Sequence, residues 1–380
     1  MSVRLFAPYL GEEELNEIRD SFAKSWIGLG EKVAAFESAF SEYLNCKNSI
    51  GVNSATAGLH LALNAFKFNK GKKVLVPDIT FASTAFASVY NGLEPVFVDV
   101  NEDTVTISID DLIKKYSKDC VAVMPVHYGG QPAEMEKITD FARDNNLKVI
   151  EDCAHTIGAS YKDKKLGLWG EVGCFSFEEK KAMTTGDGGM ICTNDDGIAE
   201  RIRAPRWLGI DKDTYKRSSG YTSINELDVK HWYYDINELG FKYNMNDLSA
   251  AIGLVQLKKL DWMNKRRSEI IRKYLDLMKD LNYTKPILPF EPENYSYWLF
   301  GVRCGKRDEL IKYLKSKKIS TGVHYVPLTQ VNYFKQWKSD CPVAENIWNE
   351  FVTLPLHVML TDKEIQLVVD SLYEFEKKNY

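Results

Sequence analysis

The chain has 380 residues, of which 44% are hydrophobic and 27% charged, with a formal net charge of −4. That length can bury a large core spread over two or three domains, and the balance of residue types excludes a largely disordered chain. The weak negative charge offers no basic field for nucleic acid, and no stretch nears the ~18 apolar residues of a membrane span.

The seven cysteines, at 46, 120, 153, 174, 192, 304 and 341, contain no CxxC pair. Scattered and odd in number, they fit reduced thiols better than a disulfide framework or a zinc site, and no metal site is expected. The N-terminal segment has no long apolar run of the secretory kind, so a cytoplasmic protein is expected.

Between about residues 33 and 200, short apolar runs alternate with helical periods. Residues 73–76, 95–98, 121–124 and 147–150 read as buried strands. Helices are expected near 54–67, 80–91, 108–117 and 132–145. Such alternation argues for a largely parallel sheet covered on both faces, with ligands at the carboxyl ends of its strands. Residues 211–237 are polar and aromatic, with Lys212, Lys216, Arg217, Trp232, Tyr233 and Tyr234. They read as a long excursion, and long ordered loops are often functional.

Residues 246–280 read as one long amphipathic helix with Leu248, Ile252, Leu254, Leu257 and Leu260 on its apolar side. Beyond it come a strand at 296–302, a helix at Arg307–Ser316 and a last helix capped by Thr361. The expected division is a large domain at 1–248 and a small one at 249–380.

Residues 147–194 carry the chemistry. The apolar run ends in Glu151–Asp152, His155 follows, then a strand bearing Ser176, then Lys181 entering the turn Thr184-Thr-Gly-Asp-Gly-Gly189. An acid at a strand end, a hydroxyl and a lysine beside a Gly-rich turn are the parts a pyridoxal phosphate (PLP) enzyme needs. The acid keeps the pyridine nitrogen protonated, hydroxyls and backbone amides hold the phosphate, and the lysine forms the Schiff base. Each residue also has a plainer reading: Asp152 and Ser54 as helix caps, His155 as a core histidine, Lys181 as a surface charge.

With these residues stand further blocks in order: Asn53-Ser-Ala-Thr-Ala-Gly-Leu59, Pro77-Asp-Ile-Thr-Phe-Ala-Ser-Thr84, Pro125-Val-His-Tyr-Gly-Gly-Gln-Pro132, Gly240-Phe-Lys-Tyr-Asn-Met-Asn-Asp247 and Gly322-Val-His-Tyr325. Together they resemble the DegT/DnrJ-type nucleotide-sugar aminotransferases, a branch of the aspartate-aminotransferase-like PLP enzymes, over nearly the whole chain. The resemblance implies an α/β fold with a mostly parallel sheet in a large PLP domain and a smaller C-terminal α+β domain.

It also implies roles. Lys181 would be the Schiff-base lysine, rather than its neighbour Lys180, and its presence argues for transamination, because the family's dehydratase branch carries histidine there. Asp152 would meet the pyridine nitrogen, His155 the phenolic oxygen and Phe81 the ring face. Ser54, Ala55, Thr56 and Ser176 would hold the phosphate, and His324 and Tyr325 the substrate. Lys242 stands where relatives carry an asparagine that reaches the partner subunit's phosphate, and Asn244 stands where they carry arginine.

The implied reaction moves an amino group from L-glutamate to a nucleotide-linked keto sugar, in a homodimer with a shared active site. The product would be an amino sugar for surface polysaccharide such as the O-antigen of lipopolysaccharide. The Thr184–Gly189 turn is similar to that of relatives that aminate C4, so an NDP-4-keto-6-deoxyhexose is the expected substrate. A C3, cyclitol or other keto-sugar aminotransferase, or a PLP-binding regulator without turnover, stands as the alternative.

Overall fold

The computed structural model describes residues 2–210, 235–287 and 295–380. A seven-stranded sheet forms its centre. In chain order the strands are β1 (Asn48–Val52), β2 (Lys73–Pro77), β3 (Glu94–Val98), β4 (Cys120–Val123) and β5 (Lys148–Asp152), followed, after a small hairpin of β6 (Ser160–Tyr161) and β7 (Lys164–Lys165), by β8 (Val172–Ser176) and β9 (Gly189–Thr193). Their spatial order is β1-β9-β8-β5-β4-β2-β3.

From β8 through β3 every pairing is parallel, whereas β9 runs antiparallel to both β8 and β1. The reason is the connection. Parallel neighbours need a crossover, which helices Ala82–Tyr90 and Met135–Asp144 supply between β2 and β3 and between β4 and β5, and which residues 153–171 with the β6–β7 hairpin supply between β5 and β8. Residues 177–188 join β8 to β9 at one end of the sheet without crossing it, so the chain turns back, and that turn carries Lys181.

Alternation along β8 decides what faces the cavity. Phe175 and Phe177 are fully buried and meet Phe36 and Phe40 of the helix Glu31–Leu44, with ring centroids 5.2–5.6 Å apart. Successive strand residues point to opposite faces, so Ser176 is turned the other way. Each buried phenylalanine contributes roughly 1.5–3 kcal/mol, and a one-residue slip would exchange the hydroxyl for a ring. Cheap aromatic burial thus fixes a polar side chain.

The helix Asp247–Leu277 follows, with Asn246 as its N-cap. Its first half, through Ala250, Leu257, Leu260 and Met263, enters a core with Phe36, Phe175 and Phe177. Its second half, through Ile270, Ile271 and Tyr274, enters a separate core with Leu310, Leu314, Val368 and Leu372. The expected division at 248/249 falls at the start of this helix. A three-stranded antiparallel sheet, β10 (Thr284–Pro286), β11 (Phe300–Cys304) and β12 (Phe351–Leu354), lies with the second core. Helices Arg307–Ser316 and Asp362–Asn379 complete it, the latter capped by Thr361 with Glu364 in a capping box.

Two differences from expectation have physical causes. The strand expected at 296–302 begins only at Phe300, because Ser296–Leu299 docks on the Gly129–Gly130 turn instead of a strand: Trp298 N–H donates to Gly129 O at 2.9 Å. The excursion expected at 211–237 lies, for 211–234, outside the described residues. Among those described, no helix is long and apolar enough to cross a membrane.

Candidate active site

A cavity of about 370 Å³ opens at the carboxyl ends of β5 and β8. It brings together Ser54, Ala55, Thr56, Phe81, Asp152, His155, Ser176, Lys181, His324 and Tyr325. Lys242, expected at the phosphate, and its neighbour Asn244 do not line it. The Lys242 ammonium donates to Asn244 Oδ1 at 2.9 Å and lies 5.1 Å from the centroid of the Trp207 ring, on the surface.

One end of the cavity suits an anion. Ser54 caps the helix Ala55–Asn64, its hydroxyl accepting from Ala57 N–H at 3.1 Å. The first-turn amides of a helix lack intrahelical partners and sit at the positive end of its dipole. Thr56 Oγ1 and Ser83 Oγ lie 2.6 Å apart, and Ser176 Oγ accepts from Glu178 N–H at 3.4 Å. Gly189 lets the helix seat this low, since a Cβ there would come within 2.7 Å of Ala55 N. The cap reading of Ser54 therefore holds together with the anion-site geometry.

The centre suits a flat ring with a basic nitrogen. Phe81 precedes the helix Ala82–Tyr90 and leaves 57% of its surface exposed toward the opening. Asp152 ends β5 with 4% exposure. Its Oδ2 accepts from Thr84 Oγ1 at 2.8 Å and its Oδ1 from Ala154 N–H at 3.1 Å. Burial raises its pKa, against the lowering by those two hydrogen bonds and by the charge of Lys181. A buried carboxylate so held gains most from a cation on its open side, and a protonated ring nitrogen supplies one. The residues fit PLP.

Opposite lies an aromatic wall. His155 stacks on Trp298 with centroids 4.0 Å apart and planes 14° from parallel. Its Nδ1 accepts from Gly129 N–H at 3.3 Å, which leaves Nε2 to carry the proton toward Tyr325 Oη at 3.3 Å. Burial, then the nearby Lys181, hold this histidine well below its ordinary pKa, so it is neutral. Lys181 Nζ lies 3.9 Å from the centroid of the Trp298 ring. Burial lowers the lysine to about 8 and Lys180 adds to the lowering, while Asp152 and Glu178 oppose it. His324 Nδ1 is 2.8 Å from Thr353 Oγ1, and burial holds that ring at about 4. Its carbonyl accepts from the Tyr128 hydroxyl.

Trp298, Thr84, Glu178 and Asp187 were not singled out in the sequence. Thr84 falls inside a quoted block, three residues after Phe81, and that helical spacing is the one signal that would have found it. Trp298 gives none, because a buried aromatic in an apolar run reads as core.

Behind β5, His127, Glu151 and Cys153 bring atoms of metal-ligating type within 4.8 Å of one another. Glu151 already accepts from Gly167, Trp169 and Gly170 N–H at 2.8, 2.6 and 2.8 Å, and from His127 Nε2 at 3.1 Å. Burial keeps the Cys153 thiol protonated. This group clamps the 167–170 loop beneath the site.

The sequence signature of the DegT/DnrJ/EryC1/StrS aminotransferase family matches residues 8–373. Spore coat polysaccharide biosynthesis protein SpsC of Bacillus subtilis is 34% identical over 97% of this chain and 96% of its own. The crystal structure of the aminotransferase TlmJ from Streptoalloteichus hindustanus superposes with a TM-score of 0.91 at 29% identity, covering 99% of both chains. Spr1654 of Streptococcus pneumoniae in its PLP form gives 0.90 at 25% identity, covering 100% of this chain and 99% of that one.

Proposed function

The chain belongs to the DegT/DnrJ/EryC1/StrS aminotransferase family and is a PLP-dependent sugar aminotransferase, and from that premise we propose that it moves an amino group from L-glutamate to C4 of an NDP-4-keto-6-deoxyhexose. The observation that carries the reading is the cavity itself: an amine brought to about 8 and a buried, hydrogen-bonded carboxylate share one small space with a helix N-terminus.

PLP, when bound, supplies an aldehyde that couples to amines and a ring that takes up an electron pair. The chain does the rest. Asp152, its oxygens fixed by Thr84 and Ala154, would keep a proton on the ring nitrogen. Phe81 would cover one face of the ring, and His155, its Nε2 proton shared with the Tyr325 hydroxyl, would stand at the cofactor's edge. Ser54, Ala55, Thr56 and Ser176 would hold the phosphate. Lys181 would hold the cofactor, and its free amine, brought near neutrality by burial, would accept the proton from the donor's Cα. His324 and Tyr325 face the sugar.

The Thr184–Gly189 turn, similar to that of relatives aminating C4, supports the position of amination. SpsC is named for polysaccharide biosynthesis, and that supports a product destined for surface polysaccharide, the O-antigen of lipopolysaccharide among them. The seven free cysteines suit a cytoplasmic enzyme. The site is shared in a homodimer, Lys242 of one chain reaching the phosphate held by the other. The test is a coupled assay of 2-oxoglutarate release from glutamate with NDP-4-keto-6-deoxy sugars of different bases. Turnover with such a sugar is expected; turnover only with a 3-keto sugar or a cyclitol ketone overturns the assignment.

A further inference from the structure

The aromatic wall holds an arrangement that the reaction scheme leaves unused. Trp298 is 3% exposed and comes from the chain leading into β11, far in sequence from Lys181. Three independent contacts fix its plane. Its indole N–H donates to the carbonyl of Lys180 at 2.7 Å, one residue before the amine it faces. His155 stacks on it at 4.0 Å, and Phe6 stacks on it at 5.3 Å with planes 5° from parallel. Its backbone N–H donates to Gly129 O at 2.9 Å. The adjoining Gly130, at φ +101°, allows this approach, since a Cβ there would lie 2.0 Å from Ser296 O.

We propose that Trp298 is a positioning residue for Lys181: its indole face holds the ammonium form of the amine, and its N–H ties down the backbone from which that amine extends. A cation over an indole face is attracted by the ring quadrupole, more strongly where water is excluded. Two influences therefore oppose each other at Lys181 Nζ. Burial disfavours the charge, and the ring restores part of it. The charged and titratable groups around the amine are Asp152 at the end of β5, Glu178 and Lys180 on its own loop, His155 on the loop after β5, and His324 and Tyr325 from the C-terminal part. Both histidines are held neutral, so the ring, Asp152 and Glu178 are the supports of positive charge there.

The inference rests on the reading of Lys181 as the cofactor-holding amine only for its meaning in catalysis. Its test uses the protein without cofactor, so the two can fail separately. The pH at which Lys181 is half reactive is read by competitive reductive methylation with formaldehyde, quantified on its peptide. Trp298→Leu is expected to lower that midpoint by about one pH unit, the shift that roughly 1–2 kcal/mol of cation–π attraction corresponds to. Trp298→Phe, which keeps a π face, is expected to recover at least half of it.

A series of mono-, di- and trifluorotryptophan placed at position 298 keeps the shape while draining the ring's negative face, and covers the case in which Trp298→Leu does not fold. The midpoint is expected to fall stepwise along the series. A flat series, or a Trp298→Phe midpoint equal to that of a folded Trp298→Leu, overturns the proposal and leaves Trp298 a packing residue.

Discussion

Thr84 donates its hydroxyl proton to Asp152 Oδ2 at 2.8 Å, from the same helical turn that begins at Phe81. Phe81, proposed for the ring face, and the residue orienting the acid are thus set by one helix start. Thr80 Oγ1, 2.8 Å from Thr84 Oγ1, continues the chain. Thr84→Val keeps the shape and removes the donor, and is expected to lower turnover about tenfold, near 1.4 kcal/mol of transition-state stabilisation. Asp152→Asn, which removes the charge itself, is expected to lose several orders of magnitude with folding retained. Steady-state kinetics beside circular dichroism check both, and a near wild-type Asp152→Asn would leave the acid a helix cap.

Borohydride reduction of the loaded enzyme is expected to attach the cofactor to Lys181. Peptide mapping distinguishes it from Lys180, whose ammonium faces solvent 3.8 Å from Glu178. Lys181→Ala is expected to abolish turnover, and Lys180→Ala to leave most of it. A label on any other lysine sinks the assignment.

The pH dependence of cofactor loading has a defined sign. Lys181 is lowered from 10.5 to about 8 by burial, and only its neutral form attacks an aldehyde. Below pH 8 the rate constant for PLP uptake by the apo-protein is expected to rise about tenfold per pH unit, levelling off above it. Stopped-flow absorbance checks this. A rise that continues to pH 10 would describe an ordinary exposed lysine.

Mixing Lys181→Ala with Lys242→Glu tests the shared site. Each homodimer is expected to be inactive or nearly so, one for want of the amine and the other for want of the cation at the phosphate. A heterodimer rebuilds one complete site, so mixed samples are expected to regain up to a quarter of wild-type activity, since half of random pairs are mixed and each carries one site of two. Wild-type PLP affinity in Lys242→Glu, or an active monomer by light scattering, contradicts the arrangement.

The parallel strands and their helices were legible because burial on both faces leaves continuous apolar runs; Arg307–Ser316 and the Thr361 cap fell where the sequence put them. β1 was not read, since Asn48 and Ser49 interrupt its apolar character while pairing with β9 buries it. Of the site, the residues inside contiguous motifs were legible, and the geometry gathers ten of them around one cavity. Trp298 was not, because its placement depends on Gly130 lacking a Cβ 168 positions earlier in the chain. No local pattern records such a contact.

Residues 3–6 have a consequence for how the protein is made. Val3 N–H donates to Lys318 O, Ser320 N–H donates to Val3 O, Leu356 N–H donates to Leu5 O, and Phe6 backs Trp298. These residues leave the ribosome long before any of their partners exist. At roughly 5–20 residues per second, they wait some 15–60 seconds for position 298 to be synthesised. The wall behind Lys181 is therefore among the last features to close during synthesis, and a bulky fusion joined directly ahead of Val3 would burden the active site more than its distance along the chain suggests.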